Sequence, residues 1–402
     1  IKSSTISQTP SGKYYISILV ETEIKELEKT DKKVGVDVGI KDFAITSDEE
    51  VFENPIKDFE IDNNNFYCYP AKMGTQLAYV YFHKDFVFSG ISLANLFEPA
   101  TTEDIAARKP DILVAFGVKD GQEDMVFFND TENEVVVAKI SYPPKIEYFG
   151  YMKKIMLTAY NVSMMEKGNL PIHGAMVNIL FRDGTNKGVV FMGDSGAGKS
   201  EIIEEITNVG GTEIDRIDVI FDDMGAFRLT EDNEVVAQGT EIGAFVRLDD
   251  LDRALPYQAM DRSIFMNPES TTNARVIIPV TDFDTVQSDH KVDYFLYANN
   301  YDAKIGVQLF RSADEGKDTF IEGKRMAKGT THEMGLTYSF FANPFGPLQK
   351  EDVCRPLIDK FWDQFESSNV KVGEVYTNLG VVDRTEESLK ESARAVLELI
   401  HQ

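Results

Sequence analysis

The sequence predicts an α/β protein with a phosphate-loop nucleotide-binding core of mixed sheet and helices, preceded by a smaller N-terminal α/β lobe. Three observations predict it. Gly193-Asp194-Ser195-Gly196-Ala197-Gly198-Lys199-Ser200 fills every fixed position of the G-x-x-x-x-G-K-[ST] pattern. An apolar run, Val189-Val190-Phe191-Met192, precedes it and a helix-like Glu201-Ile202-Ile203-Glu204-Glu205-Ile206 follows. Short apolar strand-like runs recur at 175–181, 189–192, 219–221, 276–280 and 294–298.

Taken in order, residues 1–55 carry strand-like runs at 14–20 and 34–38 separated by a charged linker, a pattern that predicts an antiparallel ribbon. Residues 58–170 turn aromatic-rich, as in Phe66-Tyr67-Cys68-Tyr69 and Leu77-Ala78-Tyr79-Val80-Tyr81-Phe82, and are expected to form a truncated N-terminal α/β lobe. Residues 171–402 are expected to form the nucleotide-binding domain. Its tail, 386–402, places Leu389, Ala393, Val396, Leu397 and Ile400 on one helical stripe.

Composition narrows the function classes. The 402 residues are 43% hydrophobic and 27% charged, which is globular rather than disordered. Lys and Arg total 41 against 67 Asp and Glu, a formal charge of -26 that disfavours nucleic acid and anionic membrane surfaces as partners. Cys68 and Cys354 show no C-x-x-C spacing, so neither a disulfide framework nor a zinc knuckle is indicated, and a reducing, cytoplasmic location is expected. No apolar stretch approaches the roughly 18 to 20 residues of a spanning helix, and no signal-peptide core is evident at the amino terminus.

The loop carries the chemistry. Its glycines let successive N–H groups turn toward an anion, Lys199 reaches the outer phosphates of a nucleoside triphosphate, and Ser200 offers its hydroxyl to magnesium. The plainer alternative is a glycine turn without a ligand. Downstream, Ile217-Asp218-Val219-Ile220-Phe221-Asp222-Asp223 reads as a strand ending in two acids, placed to hold the metal that bridges a triphosphate, although acid pairs are also ordinary turn formers. Upstream, His173 stands at the start of a strand, and Lys153 and Lys154 sit near a glycine turn in Tyr148-Phe149-Gly150-Tyr151-Met152-Lys153-Lys154. Read alone, the histidine is as well explained as a structural residue and the lysines as a surface pair.

Two resemblances follow from these residues. Ser11 to Ser17, Val34 to Ala44 and Glu53-Asn54-Pro55 resemble the opening of the nuclease fold in transposon-encoded OrfB-type proteins, in which the aspartate matching Asp37 is one of several metal-binding carboxylates. The family's later acidic and cysteine-rich motifs have no counterpart downstream, and one aspartate cannot assemble a two-metal site, so this segment is expected to be a non-catalytic fragment.

The succession Tyr148 to Met156, His173-Gly174, Gly193 to Ser200, Asp222-Asp223, Glu241 to Arg247, Asn273-Ala274-Arg275 and Tyr338 to Phe345 is similar, in order, to the motifs of ATP-dependent phosphoenolpyruvate carboxykinase, over roughly residues 146–380. The resemblance implies that Lys154, His173 and Asp223 ligate a transition metal, usually manganese. It implies that Lys153 and Arg275 bind the substrate's charged groups, and that Lys199, Ser200 and Arg247 handle the nucleotide phosphates and their magnesium. Lysine ligates a cation only as the neutral amine, which a nearby divalent ion and burial favour.

The loop wording itself is closer to HPr kinase/phosphorylase, which has the same nucleotide-binding core. The carboxykinase resemblance implies ATP-dependent decarboxylation and phosphorylation of oxaloacetate, with Mg2+ and Mn2+, as the expected reaction. The alternatives are phosphoryl transfer to a protein serine or small hydroxyl compound with Asp222 or Asp223 as base, and an ATP-binding fusion product impaired in catalysis.

Overall fold

The computed structural model describes residues 61–121, 125–142, 149–247, 274–328, 334–342, 345–382 and 385–402, and the backbone of the short strands 3–8, 14–19, 36–37, 42–46, 51–53 and 264–266. It is a mixed α/β architecture with several sheets and, among the described residues, eight α-helices. No helix among them is long and apolar enough to cross a membrane.

At the amino terminus, β1 (Ser3–Gln8) pairs antiparallel with β2 (Tyr14–Leu19), while β3 (Val36–Asp37), β4 (Asp42–Thr46) and β5 (Val51–Glu53) form a separate three-stranded sheet. The ribbon expected between 14–20 and 34–38 is thus corrected. Each run pairs with a strand nearer in sequence, where closing the loop costs less entropy. The side chain of Asp37 lies outside the described residues.

A six-stranded sheet follows, built from β6 (Phe66–Met73), β7 (Gln76–His83), β8 (Glu98–Pro99), β9 (Ile112–Val118), β10 (Met125–Asp130) and β11 (Val135–Ser141) in the order β10-β11-β9-β7-β6-β8. Its connections carry α1 (Val87–Ser92) and α2 (Thr102–Ala107). The latter starts on a capping box in which Thr101 and Asp104 satisfy each other's backbone N–H groups.

Next comes α3 (Phe149–Glu166), buried on nearly every face. Phe149-Gly150, expected to lie at a glycine turn, opens this helix instead. A helix apolar all round belongs inside, and burial outweighs the roughly 1 kcal/mol that glycine costs a helix. One continuous core joins it to both large sheets, with Met152, Ile155, Met156 and Tyr160 packed among Val114, Ala138, Ile172 and Phe295.

The second large sheet contains β12 (Leu170–Phe181), β13 (Asn186–Met192), β14 (Ile214–Leu229), β15 (Val235–Gly239), β19 (His290–Lys291), β20 (Tyr294–Asn299), β21 (Gly306–Leu309) and β24 (Lys371–Tyr376). Their order is β19-β15-β14-β12-β13-β20-β24-β21, with β13, β20 and β24 parallel. Between them the chain makes a small sheet, β16 (Gly243–Arg247), β17 (Ile264–Met266) and β18 (Arg275–Pro279), and a hairpin, β22 (Lys324–Lys328) with β23 (Met334–Tyr338).

Both faces of the eight-stranded sheet are covered. On one, α4 (Lys199–Gly210) and α8 (Glu386–Ile400) press Ile202, Ile206, Leu389, Ala393 and Val396 against Val177, Val189 and Leu296. On the other, α3 and α7 (Glu351–Ser367) bury Phe361, Trp362 and Phe365 against Phe227 and Phe295. The remaining helices are α5 (Phe283–Gln287) and α6 (Ala313–Glu322). Covering both sides is why the central strands read as unbroken apolar runs rather than alternating ones.

Candidate functional site

The glycine loop leaves β13 at the end of the parallel strands and enters α4. In open α/β sheets, ligands bind outside the carboxyl ends of parallel strands. The conformation needs its glycines: Gly196 and Gly198 have φ of +79° and +100°, and a Cβ on Gly198 would lie 2.7 Å from Thr377 Cβ. Lys199 is buried and donates to the Gly193 carbonyl at 2.8 Å. The Ser200 hydroxyl donates to Asp222 Oδ2 at 3.0 Å.

Beside the loop, His173 is clamped at both ring nitrogens. Its Nε2 lies 2.9 Å from Asp223 Oδ1, and its Nδ1 lies 2.9 Å from the Ala342 carbonyl oxygen and 4.0 Å from Asp194 Oδ1. The Gly193 N–H donates to the His173 carbonyl at 3.3 Å, so strand pairing brings loop and histidine together. Gly174 is needed next to it, because a Cβ there would lie 2.6 Å from the Phe191 carbonyl oxygen.

Asp222 and Asp223, expected at a strand tip, lie within β14, which runs on to pair with β15. Strand pairing rather than a turn fixes them. Alternation then sends one carboxylate to Ser200 and the other to His173.

The two lysines part company. Lys153 is buried, with Nζ 3.3 Å from Asp223 Oδ2 and 3.3 Å from Glu241 Oε1. Lys154 is exposed, its Nζ 5.7 Å from the centre of the Phe345 ring. This corrects the assignment of Lys154 to the His173–Asp223 cluster. Successive helical residues diverge by about 100°, so α3 can aim only one of them there, and it aims Lys153.

Arg275 on β18 stands opposite Arg247 on β16, and its guanidinium lies 5.7 Å from the centre of the Phe245 ring. That ring meets Phe149, one helical turn before Lys153. The side chain of Arg247, and Asn273, lie outside the described residues.

The electrostatics follow from burial. Desolvation alone would raise the Asp223 carboxyl, but Lys153 and His173 overcome it and hold Asp223 well below the usual carboxylate range. Burial, reinforced by Asp223, pushes Asp222 up. Burial opposes charge on Lys153, yet Glu241 and Asp223 raise it above the ordinary lysine value.

Glu241 is pushed up to about 7, mainly by burial, with Lys153 opposing and Asp223 adding. Among the described residues, neither of its oxygens accepts a well-aligned hydrogen bond. Because its folded value exceeds the ordinary 4.5, the folded chain binds the extra proton between them. The stability from this group is complete below about 4.5 and is lost as pH rises through about 7. Glu241→Gln is therefore expected to flatten the fall in melting temperature between about pH 5 and pH 8. An identical slope in the variant would contradict this.

The donor set can be tested for a cation. A neutral imidazole has one N–H, but His173 faces two acceptors, so one ring nitrogen requires a second positive group, a proton or a metal cation. An Nδ1–H donated to a carbonyl also leaves Nε2 as the metal-facing atom. His173 and Asp223 thus fit a divalent ion, with Lys153 beside them. Among the described residues, no group of three or more His, Cys, Asp and Glu side chains is placed to hold a metal, and Lys153, held as an ammonium by Glu241 and Asp223, offers no lone pair as a third donor.

Sequence reasoning missed three parts of this site. Glu241 had a signal, a lone acid in the apolar and glycine-rich Val235 to Ala244 stretch, but no partner to give it meaning. Arg325, which reaches Asp194 across 131 residues, had none, and Ala342, although inside the Tyr338 to Phe345 motif, was given no role, because both depend on tertiary placement. Phe341 and Ala342 hold φ of +48° and +55°, a conformation that bulky residues adopt only under constraint, and here it delivers the carbonyl to His173.

No family model matches this chain, and the search of curated proteins finds no match.

Proposed function

We propose that the chain is a phosphoenolpyruvate carboxykinase-like enzyme that uses ATP to decarboxylate and phosphorylate oxaloacetate, releasing phosphoenolpyruvate, ADP and carbon dioxide. The observation that carries this reading is the junction of the glycine loop with the His173–Asp223–Lys153 cluster, through Gly193 to His173 and Ser200 to Asp222. A divalent cation held by His173 and Asp223 would supply Lewis-acid stabilisation of an enolate oxygen.

The chain's own residues supply the rest. The loop N–H groups and Lys199 bind and orient the triphosphate, and Asp222 positions the Ser200 hydroxyl toward its magnesium. Lys153, held charged by Glu241 and Asp223, presents a fixed positive group to a carboxylate, and Arg275 is the second candidate for that task. This reading keeps the nucleotide-binding core and the manganese and magnesium expected from the motif order.

One observation favours a second reading, phosphoryl transfer to a hydroxyl. The loop wording from Asp194 to Glu201 is closer to that of HPr kinase/phosphorylase, and the base in that reading would be Asp222, which burial raises. Its engagement with Ser200 favours a metal-positioning role instead.

The deciding experiment incubates the purified chain with ATP, magnesium and manganese, adding oxaloacetate, serine or a phosphocarrier protein. Release of ADP that depends on oxaloacetate and yields phosphoenolpyruvate is expected. Turnover only with a hydroxyl acceptor would replace the carboxykinase reading with the kinase one, and ATP binding without turnover would leave a catalytically impaired nucleotide-binding protein.

A further inference from the structure

The second residue of the loop is an acid, which is an odd neighbour for a triphosphate. Asp194 is turned away and buried, at 2% exposure, where Arg325 Nε donates to its Oδ2 at 2.8 Å and Ser339 Oγ donates to the same oxygen at 3.0 Å. Arg325 and Ser339 belong to the hairpin of β22 and β23 and its exit. Arg325 is itself buried, at 3% exposure.

The hairpin grips the loop backbone as well. A second arm of Arg325, Nη1, donates to the Ser195 carbonyl at 3.0 Å. Asn300 Nδ2 donates to the Gly196 carbonyl at 2.9 Å and to the Met326 carbonyl of β22 at 3.0 Å, while the Met326 N–H donates back to Asn300 Oδ1 at 2.8 Å. The Thr377 hydroxyl donates to the Ala197 carbonyl at 2.6 Å.

Three successive loop carbonyls are thus held from outside. In a trans peptide, C=O and N–H point in opposite directions, so fixing a carbonyl outward turns the following N–H inward. The Ser195 carbonyl governs the N–H of Gly196, and the Ala197 carbonyl that of Gly198, whereas the Ala197 N–H is donated to the Asp194 carbonyl at 2.9 Å and the Ser195 N–H to Asp194 Oδ1 at 2.7 Å.

We infer that Arg325 is a positioning residue for phosphate binding: through Asp194 and the Ser195 carbonyl, the β22–β23 hairpin pre-orders the loop so that the Gly196 and Gly198 N–H groups face an anion. This rests on the reading of the loop as a phosphate site. Arginine suits the task because its planar fork grips two acceptors at once, which an ammonium cannot do with fixed geometry.

The test titrates magnesium tripolyphosphate into the full chain by calorimetry and follows amide exchange of residues 194–200. Arg325→Lys keeps the charge beside Asp194 but loses the fork. It is expected to melt near the wild-type temperature, bind tripolyphosphate about tenfold more weakly and exchange faster in the loop. Ser339→Ala is expected to weaken binding by a smaller factor. The pair Asp194→Asn with Arg325→Gln removes both buried charges together, so it tests the same point should Arg325→Lys fold poorly, and it too is expected to lose affinity.

Wild-type affinity in Arg325→Lys and in the double variant, whatever their melting temperatures, would overturn the inference while leaving the phosphate site standing. Absence of tripolyphosphate binding by the wild-type chain would instead remove the phosphate site and the inference with it.

Discussion

Replacing Lys199 by alanine is expected to weaken ATP binding by at least about tenfold and to abolish any turnover, with little effect on the melting temperature. The side chain is buried within the loop it serves, where it donates a hydrogen bond to the Gly193 carbonyl and its charge acts on Asp222 and Asp223. Losing that bond costs the fold on the order of 1 kcal/mol. A charge-assisted bond to a phosphate is worth about 1.5 to 3 kcal/mol, so ligand binding suffers more than stability does. Titration of the variant with a fluorescent ATP analogue and magnesium is the measurement. Undiminished affinity would rule out the phosphate-loop reading.

The largest expected effect on stability comes from Lys153→Met. Its ammonium faces Glu241, whose side chain is 2% exposed, and Asp223, whose side chain keeps 37% exposure. Removing one partner of a buried pair typically costs about 3 to 5 kcal/mol, and the lower end is expected here because Asp223 can be partly screened by water. Lys154→Met, one residue on, is expected to change stability by less than about 0.5 kcal/mol, as for other exposed positions. Chemical denaturation of the two variants side by side checks both figures. Equal losses would mean that α3 does not direct the first lysine inward as described.

That contrast also shows what could be read in the chain and what could not. The eight-residue loop and its strand and helix were legible because their geometry is local: glycines for positive φ, an apolar strand before, an amphipathic turn after. The runs at 175–181, 189–192, 219–221 and 294–298 fall within strands, the run at 276–280 overshoots β18 by one residue, and the C-terminal stripe forms α8. Helical phase at Lys153 and Lys154 was not legible, because it depends on which side of α3 meets the sheet. The extent of β14 past Asp222 was obscured by an acid pair that reads as a turn until its partner strand is known. Glu241 acquires significance only once α3 has delivered a cation to it.

The chain has a single tryptophan, Trp362, and α7 places it 6.3 Å, centre to centre, from the Phe341 ring. Phe341 belongs to the constrained turn that presents its neighbour's carbonyl to His173. Intrinsic fluorescence is therefore a built-in optical reporter of that turn. A change in emission on adding manganese, with no label attached, would register movement at the far end of the imidazole's anchor.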